Sequence, residues 1–273
     1  MQLTKCESQG GHRRSARKGA TVSYVDLHSH VLPAMDDGAR TEDESLRYAR
    51  RLAAEGVREI VATPHVHRNV ALDVHEIGPR VQALQRAIDA ERLGVRVHTG
   101  GEVHPNRVSA LTEAELELVA QGPPGKRWVL LEAPFEGLDS SFSECARELR
   151  ARGYGILIAH PERAHGVLDD DARRLMDEMG AGSLLQVNVC SLLGQHGLLI
   201  QETAVEVLRR GLAFVLASDA HPGTRGHTLR LGFELAVQAG GSSVQAWRLT
   251  QANPRTLLRS GITTPAWAPG LAA

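Results

Sequence analysis

Two histidines one residue apart close an apolar run, Val25-Asp26-Leu27-His28-Ser29-His30, and the chain then turns through Pro33 into Asp36-Asp37-Gly38. In an extended strand, positions i and i+2 face the same side. His28 and His30 can therefore serve one ion while Asp37 folds back as a hard oxygen ligand. An isolated His-x-His is weak evidence, because such a pair is more often a strand cap. Five other β-rich runs change that weight. They end in Thr63-Pro64-His65, Gly100-Gly101-Glu102, Leu130-Leu131-Glu132, Ala159-His160-Pro161-Glu162-Arg163 and Ser218-Asp219-Ala220-His221. Only the run ending near Asn188 lacks an obvious ligand. His28, His30, Asp37, His65, Glu102, Glu132, His160, Asp219 and His221 are more donors than one ion can use, and they suit two or three divalent ions such as Mn²⁺, Fe or Zn²⁺. Close-set ions of this kind activate water and stabilise displacement at phosphorus. Arg163 and Arg225 follow ligand positions closely, and a guanidinium fork matches phosphate oxygens.

The donors need strands that converge, and the chain supplies an alternation that does this. β-rich runs are predicted near 24–28, 57–63, 95–101, 128–132, 154–159, 184–189 and 213–218. Helical patterns lie between them. Thr41 and Glu44 read as a capping box, followed by the stripe Leu46, Ala49, Leu52, Ala53 and a stop at Gly56. Further helices are predicted near 77–92, 111–120, 141–151, 168–179, 200–210 and 229–239. The last is predicted near 243–259, with Asn253-Pro254 breaking or beginning a helix. Seven strands alternating with helices imply an α/β fold with a parallel, barrel-like sheet covered on both faces. In such barrels the site forms at the carboxyl ends of the strands.

The chain has 273 residues, 42% of them hydrophobic and 23% charged, with a formal net charge of -1. Near-neutrality gives no case for nucleic acid or a membrane surface as partner, and no apolar stretch approaches the ~20 residues of a spanning helix. Cys6, Cys145 and Cys190 are too few and too scattered for a disulfide framework, which points to a reducing cytoplasm. None is followed by arginine at the Cys-x₅-Arg spacing, so a cysteine-nucleophile phosphatase is excluded. Residues 1–23 form a basic extension expected to be disordered. Residues 24–260 form the catalytic domain, and 261–273 read as a loosely packed tail.

Asp-Leu-His-Ser-His-Val-Leu-Pro with Asp-Asp-Gly, Ala-Thr-Pro-His, Gly-Glu at Glu102, Ala-His-Pro-Glu-Arg and Ala-Ser-Asp-Ala-His together resemble the polymerase-and-histidinol-phosphatase (PHP) superfamily. Within it, the chain is similar to the bacterial metal-dependent tyrosine phosphatases of capsule and exopolysaccharide biosynthesis, supported by Ser191-Leu192-Leu193-Gly194 and Asn253-Pro254. The resemblance runs from about Tyr24 to Leu258. It implies a distorted (β/α)₇ barrel of TIM-like architecture and a three-metal site, with Mn²⁺ the expected ion. His28, His30, Glu102 and Asp219 would hold one ion. Glu102, Glu132 and His160 would hold the second, and Asp37, His65 and His221 the third. Arg163 and Arg225 would bind phosphate, and hydroxide would attack a phosphotyrosine ester in line. The implied substrate is the tyrosine-rich tail of an autophosphorylating bacterial tyrosine kinase, and a homo-oligomer is compatible with the pattern. The chain departs from the family at the substrate rim, where Val103-His104-Pro105 replaces an expected arginine and Ala164 an expected aromatic.

Three other readings compete. A small-molecule PHP phosphatase, acting for instance on histidinol phosphate, shares the metal motifs. Amidohydrolase-type and deoxyribonuclease-type enzymes also begin with His-x-His but use eight strands and do not require the Asp37, His65, His221 set. A degenerate regulatory barrel predicts missing ligands, and none is missing.

Overall fold

The computed structural model describes residues 23–263. All but Ser23 of the expected basic extension, and residues 264–273 of the expected tail, lie outside them. The strands are β1 (Tyr24–Ser29), β2 (Val57–Ala62), β3 (His65–Val66), β4 (Arg96–Thr99), β5 (Glu102–Val103), β6 (Trp128–Glu132), β7 (Gly155–Ala159), β8 (Leu184–Asn188) and β9 (Val215–Ala217). Every ladder between them is parallel. All seven predicted runs are present. The second and third are each followed, past breaks at Thr63-Pro64 and Gly100-Gly101, by a further two-residue strand beyond the predicted bounds, β3 and β5, so the ladders fall into β1-β2-β4 and β3-β5-β6-β7-β8-β9.

The breaks have a steric origin. A Cβ on Gly100 would meet Val61 Cγ1 at 2.7 Å, and one on Gly101 would meet Val119 Cβ and Val66 Cγ2 at 2.9 Å. Only glycine lets the chain pass so close to its neighbours. The two short strands then carry His65 and Glu102 side by side in register. At the other edge, Asp219 N donates to His28 O at 3.0 Å and His30 N to Ala220 O at 2.9 Å. These bonds seam β1 to the segment after β9, which gives the distorted barrel implied by the resemblance.

Helices α1 (Glu42–Ala54), α2 (Ile77–Ala90), α3 (Pro105–Val108), α4 (Glu113–Val119), α5 (Ser140–Ala151), α6 (Asp169–Gly180), α7 (Val189–Leu192), α8 (Leu198–Arg209), α9 (Leu229–Gln238), α10 (Ser243–Trp247) and α11 (Asn253–Ser260) connect and cover the strands. Thr41 caps α1 as predicted, through Glu44 N, but Glu44 turns its carboxylate to Arg40 N rather than back to Thr41. The reciprocal box forms instead at Thr112 and Glu115, ahead of α4. A π-helical turn over 248–252 separates α10 from α11, and Pro254 sits in the first turn of α11, where its missing N–H costs nothing.

All residues of β1, β6 and β7 are buried, as strands covered on both faces require. Trp128 and Leu130 share a face of β6 with Glu132. They pack in one cluster with Val25, Leu27, Val61, Leu157, Ala159 and Val215, an apolar floor beneath the strand ends. Leu257 and Ile262 close that floor from below. Trp128 Nε1 donates to Leu257 O at 3.2 Å, and Ile262 N to Lys126 O at 3.2 Å. Ile262, assigned by sequence to a loose tail, is only 7% exposed. Because Trp128 is fully buried and hydrogen-bonded in this floor, Trp128→Ala is expected to cost about 3–5 kcal/mol of stability. Urea unfolding followed by circular dichroism measures it.

Candidate metal centre

The carboxyl ends of the strands bring all nine predicted donors into one constellation. Four overlapping groups have their donor atoms within 4.8 Å of one another: His30, Asp37, His65 and His221; His28, His30 and Glu102; His28, His160 and Asp219; and His65, Glu102 and Glu132. This grouping differs from the implied one in three respects, the first being that His30 joins Asp37, His65 and His221. His160 stands with His28 and Asp219 as well as 2.7 Å from Glu102 Oε1, and Glu132 stands with His65. Seven of the nine are buried, while His65 is partly open and Asp37 faces solvent.

Glu102 is the hub. Its Oε2 lies 2.9 Å from His65 Nδ1, 3.3 Å from His28 Nε2 and 3.4 Å from His30 Nε2. Asp219 Oδ1 lies 3.2 Å from His30 Nε2 and 3.5 Å from His28 Nε2. Asp37 Oδ1 spans His221 Nε2 at 3.1 Å and His65 Nε2 at 3.4 Å.

A further layer of side chains fixes which nitrogen each imidazole presents. His30 Nδ1 donates to Asp36 Oδ2 at 2.7 Å, and that oxygen also accepts His65 N at 3.1 Å. His28 Nδ1 faces Gln186 Oε1 at 2.9 Å. The Gln186 amide donates to Asn188 Oδ1 at 2.6 Å, and Asn188 Nδ2 donates to Asp219 Oδ2 at 2.7 Å. Both Nδ1 atoms are engaged as donors, and the two Nε2 atoms stand 3.1 Å apart. Burial alone would lower both rings, but the carboxylates around them raise both above the usual histidine range, so this pair of nitrogens calls for positive charge, as a proton or as a metal cation. His160 Nδ1 is also buried without a hydrogen-bond partner, and Glu102 Oε2 makes no well-aligned hydrogen bond to the imidazoles crowded around it, a cost a native fold rarely leaves uncompensated. The donor set therefore fits divalent cations, of the hard and borderline kind that imidazole and carboxylate together prefer.

Backbone strain accompanies this geometry. His160 (φ 35°) and Asp219 (φ 47°) adopt the left-handed conformation, at about 1–3 kcal/mol each for a residue with a Cβ. Gly38 is equally constrained, since a Cβ there would collide with the His30 carbonyl. That close pass folds the 31–38 loop back so that Asp36 and Asp37 return to the rings, with Ala39 N on His30 O at 3.0 Å.

Charge is strongly perturbed throughout. Burial and the neighbouring Glu102 charge push the Glu132 carboxyl up to about 8. Burial alone would lower His65, but the Glu102 charge and hydrogen bonds to Asp37 and Glu102 raise it to about 10. Asp37 is held far below the usual carboxylate range by hydrogen bonds from His221 and His65. The arginines meet on one oxygen: Arg163 Nη1 is 3.3 Å, and Arg225 Nη2 3.6 Å, from Asp219 Oδ2.

Sequence alone had pointed to Asp37 and passed over Asp36, although the pair is adjacent and only loop geometry separates their duties. Gln186 and Asn188 had no signal beyond their position at the end of the sixth predicted run. Asp26 was also unremarked. It is fully buried, accepts from Ser218 N at 3.1 Å, and is pushed up to about 6, chiefly by burial.

A parallel α/β barrel with clustered imidazole and carboxylate donors at the carboxyl ends of its strands defines a class of metal-dependent hydrolases. Residues 24–259 match the model of the CpsB/CapC family of capsular polysaccharide synthesis, and the chain belongs to that family. It is 28% identical over 72% of its length to 76% of the putative tyrosine-protein phosphatase CapC of Staphylococcus aureus. It is 30% identical over 72% of its length to 77% of the tyrosine-protein phosphatase YwqE of Bacillus subtilis. Among solved structures, one from work on YwqE of Bacillus subtilis and CpsB of Streptococcus pneumoniae, metal-dependent tyrosine phosphatases, superposes with a TM-score of 0.75 at 24% identity. That match covers 89% of this chain and all of the other.

Two outcomes test the centre. Asp36→Ala removes the acceptor that orients His30 and the partner of His65 N, so divalent-metal affinity is expected to fall roughly 10–100-fold with the fold retained; isothermal titration measures it. The raised Glu132 and His65 also make the metal-free centre carry protons at pH 7 that a cation must expel. Binding should therefore release protons, and apparent affinity should rise with pH from about 6 to 8. Calorimetry in buffers of different ionisation enthalpy counts those protons, and an affinity flat across that range contradicts the charge assignment.

Proposed function

We propose that the protein is a divalent-metal-dependent phosphomonoesterase that hydrolyses protein phosphotyrosine, with a tyrosine kinase of capsular or exopolysaccharide synthesis as its substrate. The carrying observation is the convergence of nine imidazole and carboxylate donors with two arginine forks on one of them. The tyrosine-protein-phosphatase names of the family relatives support the phosphotyrosine part of this reading.

His28, His30, Asp37, His65, Glu102, Glu132, His160, Asp219 and His221 would hold the ions, three in number and Mn²⁺ by preference. Bound divalent ions supply a counter-charge for phosphoryl oxygens and an acidified water. Asp36 and Gln186 keep the His30 and His28 lone pairs aimed inward. Arg163 and Arg225, 16% and 27% exposed at their side chains, offer their donors to the phosphate and neutralise charge developing on it. The leaving phenolate, of pKa ~10, departs without strong protonation, so the site can work without a dedicated general acid.

Reduced thiols fit a cytoplasmic setting, where the kinase tail would meet the enzyme: Cys145 and Cys190 are free, and burial pushes the Cys190 thiol up to about 11. Among the described residues no helix is long and apolar enough to cross a membrane.

The Mn²⁺-loaded protein is expected to hydrolyse a phosphotyrosine peptide and to fall silent with chelator. His160→Ala should bring turnover to background, whereas Arg225→Ala should mainly raise KM, by roughly 10–100-fold for lost charge-assisted bonds. Parallel assays on histidinol phosphate and a single-stranded oligonucleotide discriminate the competing chemistries. Brisk turnover of either, with none of the peptide, overturns the proposal.

A further inference from the structure

One cleft of about 300 Å³ leads to the centre, and its lining is unusual for a phosphate site. Two candidate metal donors, His65 and Glu132, line it together with His67, His104, Pro134 and Phe135. Phe135 is 53% exposed, and what sets it apart from other exposed apolar side chains is its place on this cleft beside two candidate metal donors. The ring is nevertheless held in place. Phe135 O accepts His165 N at 2.9 Å, tying its loop to the segment after His160. Gly137 (φ 121°) lets that loop pass the His165 carbonyl, which a Cβ would meet at 2.9 Å. The Arg163 guanidinium carbon sits 4.6 Å from the Phe135 ring centroid, a cation–π contact that also orients the arginine.

Two more rings stand on the remaining wall, beside Val70 and Glu136. The His67 and His104 rings meet edge to face with centroids 4.3 Å apart, and Asn106 braces both. Its Nδ2 is 2.8 Å from His67 Nε2, and its N–H donates to His104 Nδ1 at 3.2 Å. Neither histidine is among the clustered donors. His104 lies in the stretch Val103-His104-Pro105, where the resemblance implies an arginine, so this part of the rim presents a ring face, with Glu136 the charged side chain beside it.

We propose that Phe135 and the His67–His104 pair form a subsite for the aromatic ring of an aryl phosphate, making this cleft selective for phosphotyrosine over alkyl phosphate esters. The inference rests on the phosphatase reading above. A phosphoryl group placed between the donors and Arg163 carries its ester substituent one bond outward, where Phe135 stands. A planar ring gains stacking there, whereas a serine or polyol chain offers little surface. Aromatic pairing worth about 0.5–1.5 kcal/mol corresponds to roughly 2- to 12-fold in affinity.

The test compares phenylphosphonate with methylphosphonate, both non-hydrolysable, by calorimetry on the metal-loaded full chain. Wild type is expected to prefer the phenyl compound by roughly fivefold. Phe135→Leu should abolish that preference, and Phe135→Tyr should restore it. In turnover, Phe135→Leu should lose several-fold more activity on a phosphotyrosine peptide than on the matched phosphoserine peptide, because loosening Arg163 touches both substrates and loss of the ring subsite only the first. Equal binding of the two phosphonates by wild type, or equal losses on both peptides in Phe135→Leu, overturns the subsite. Failure of wild type to hydrolyse any phosphate ester overturns the phosphatase reading instead, so the two failures are separable.

Discussion

Four imidazoles crowd one buried carboxylate: His28, His30, His65 and His160 all approach Glu102 within 3.4 Å. A lone ionised carboxylate in such a place would carry a desolvation cost of several kcal/mol. Glu102 tolerates it because the surrounding rings can share positive charge with it, and better because a divalent cation can. The rest of the molecule is arranged to keep this crowding in place. Strand breaks put His65 and Glu102 in register, the β1–β9 seam brings His28 and His30 against Asp219, and the apolar floor excludes water from below.

Polar groups facing one another at close range push apart, so the scaffold has to resist. It does so with covalent and hydrogen-bonded restraints around the charges. Left-handed backbone at His160 and Asp219 aims those side chains inward at the end of their strands. Asp36, Gln186 and Asn188 settle ring tautomers and carboxylate orientation through a chain of short hydrogen bonds. Such pre-orientation matters because a cation met by rings already turned toward it loses little binding energy to reorganisation. The local strain is offset by a barrel whose strands are buried on both faces.

The sequence carried the donors because their chemistry is periodic with the fold: His, Asp or Glu recurs where each apolar run stops, and a parallel barrel places those stops together. Seven runs were legible for the same reason. The breaks at Thr63-Pro64 and Gly100-Gly101 were not, since alternation within a run says nothing about which neighbour passes close enough to require glycine. The supporting layer was opaque for a related reason. Gln186 and Asn188 are ordinary polar residues until the β8–β9 register sets them beside His28 and Asp219. Asp36 and Asp37 differ only in how the 31–38 loop folds over His30. Phe135, in a loop after β6, has no periodic signal at all; its position depends on the hydrogen bond to His165, thirty residues on.

Asp219 links the two halves of the proposed site. Its Oδ1 faces His28 and His30, and its Oδ2 accepts Asn188 and stands near both arginines. In the proposed reaction an arriving phosphate would offer each guanidinium more oxygen than one carboxylate can, and the forks would move their charge from Asp219 to the substrate. Asp219 then keeps Asn188 on Oδ2 and has more of its negative charge free for a cation before Oδ1. By reciprocity, whatever strengthens cation binding at Asp219 weakens its hold on the arginines and favours phosphate. In this arrangement, metal and phosphate reinforce each other through a single carboxylate rather than competing for it. The strained backbone at Asp219 is consistent with that demand, because the carboxylate must face two partners on opposite sides at once.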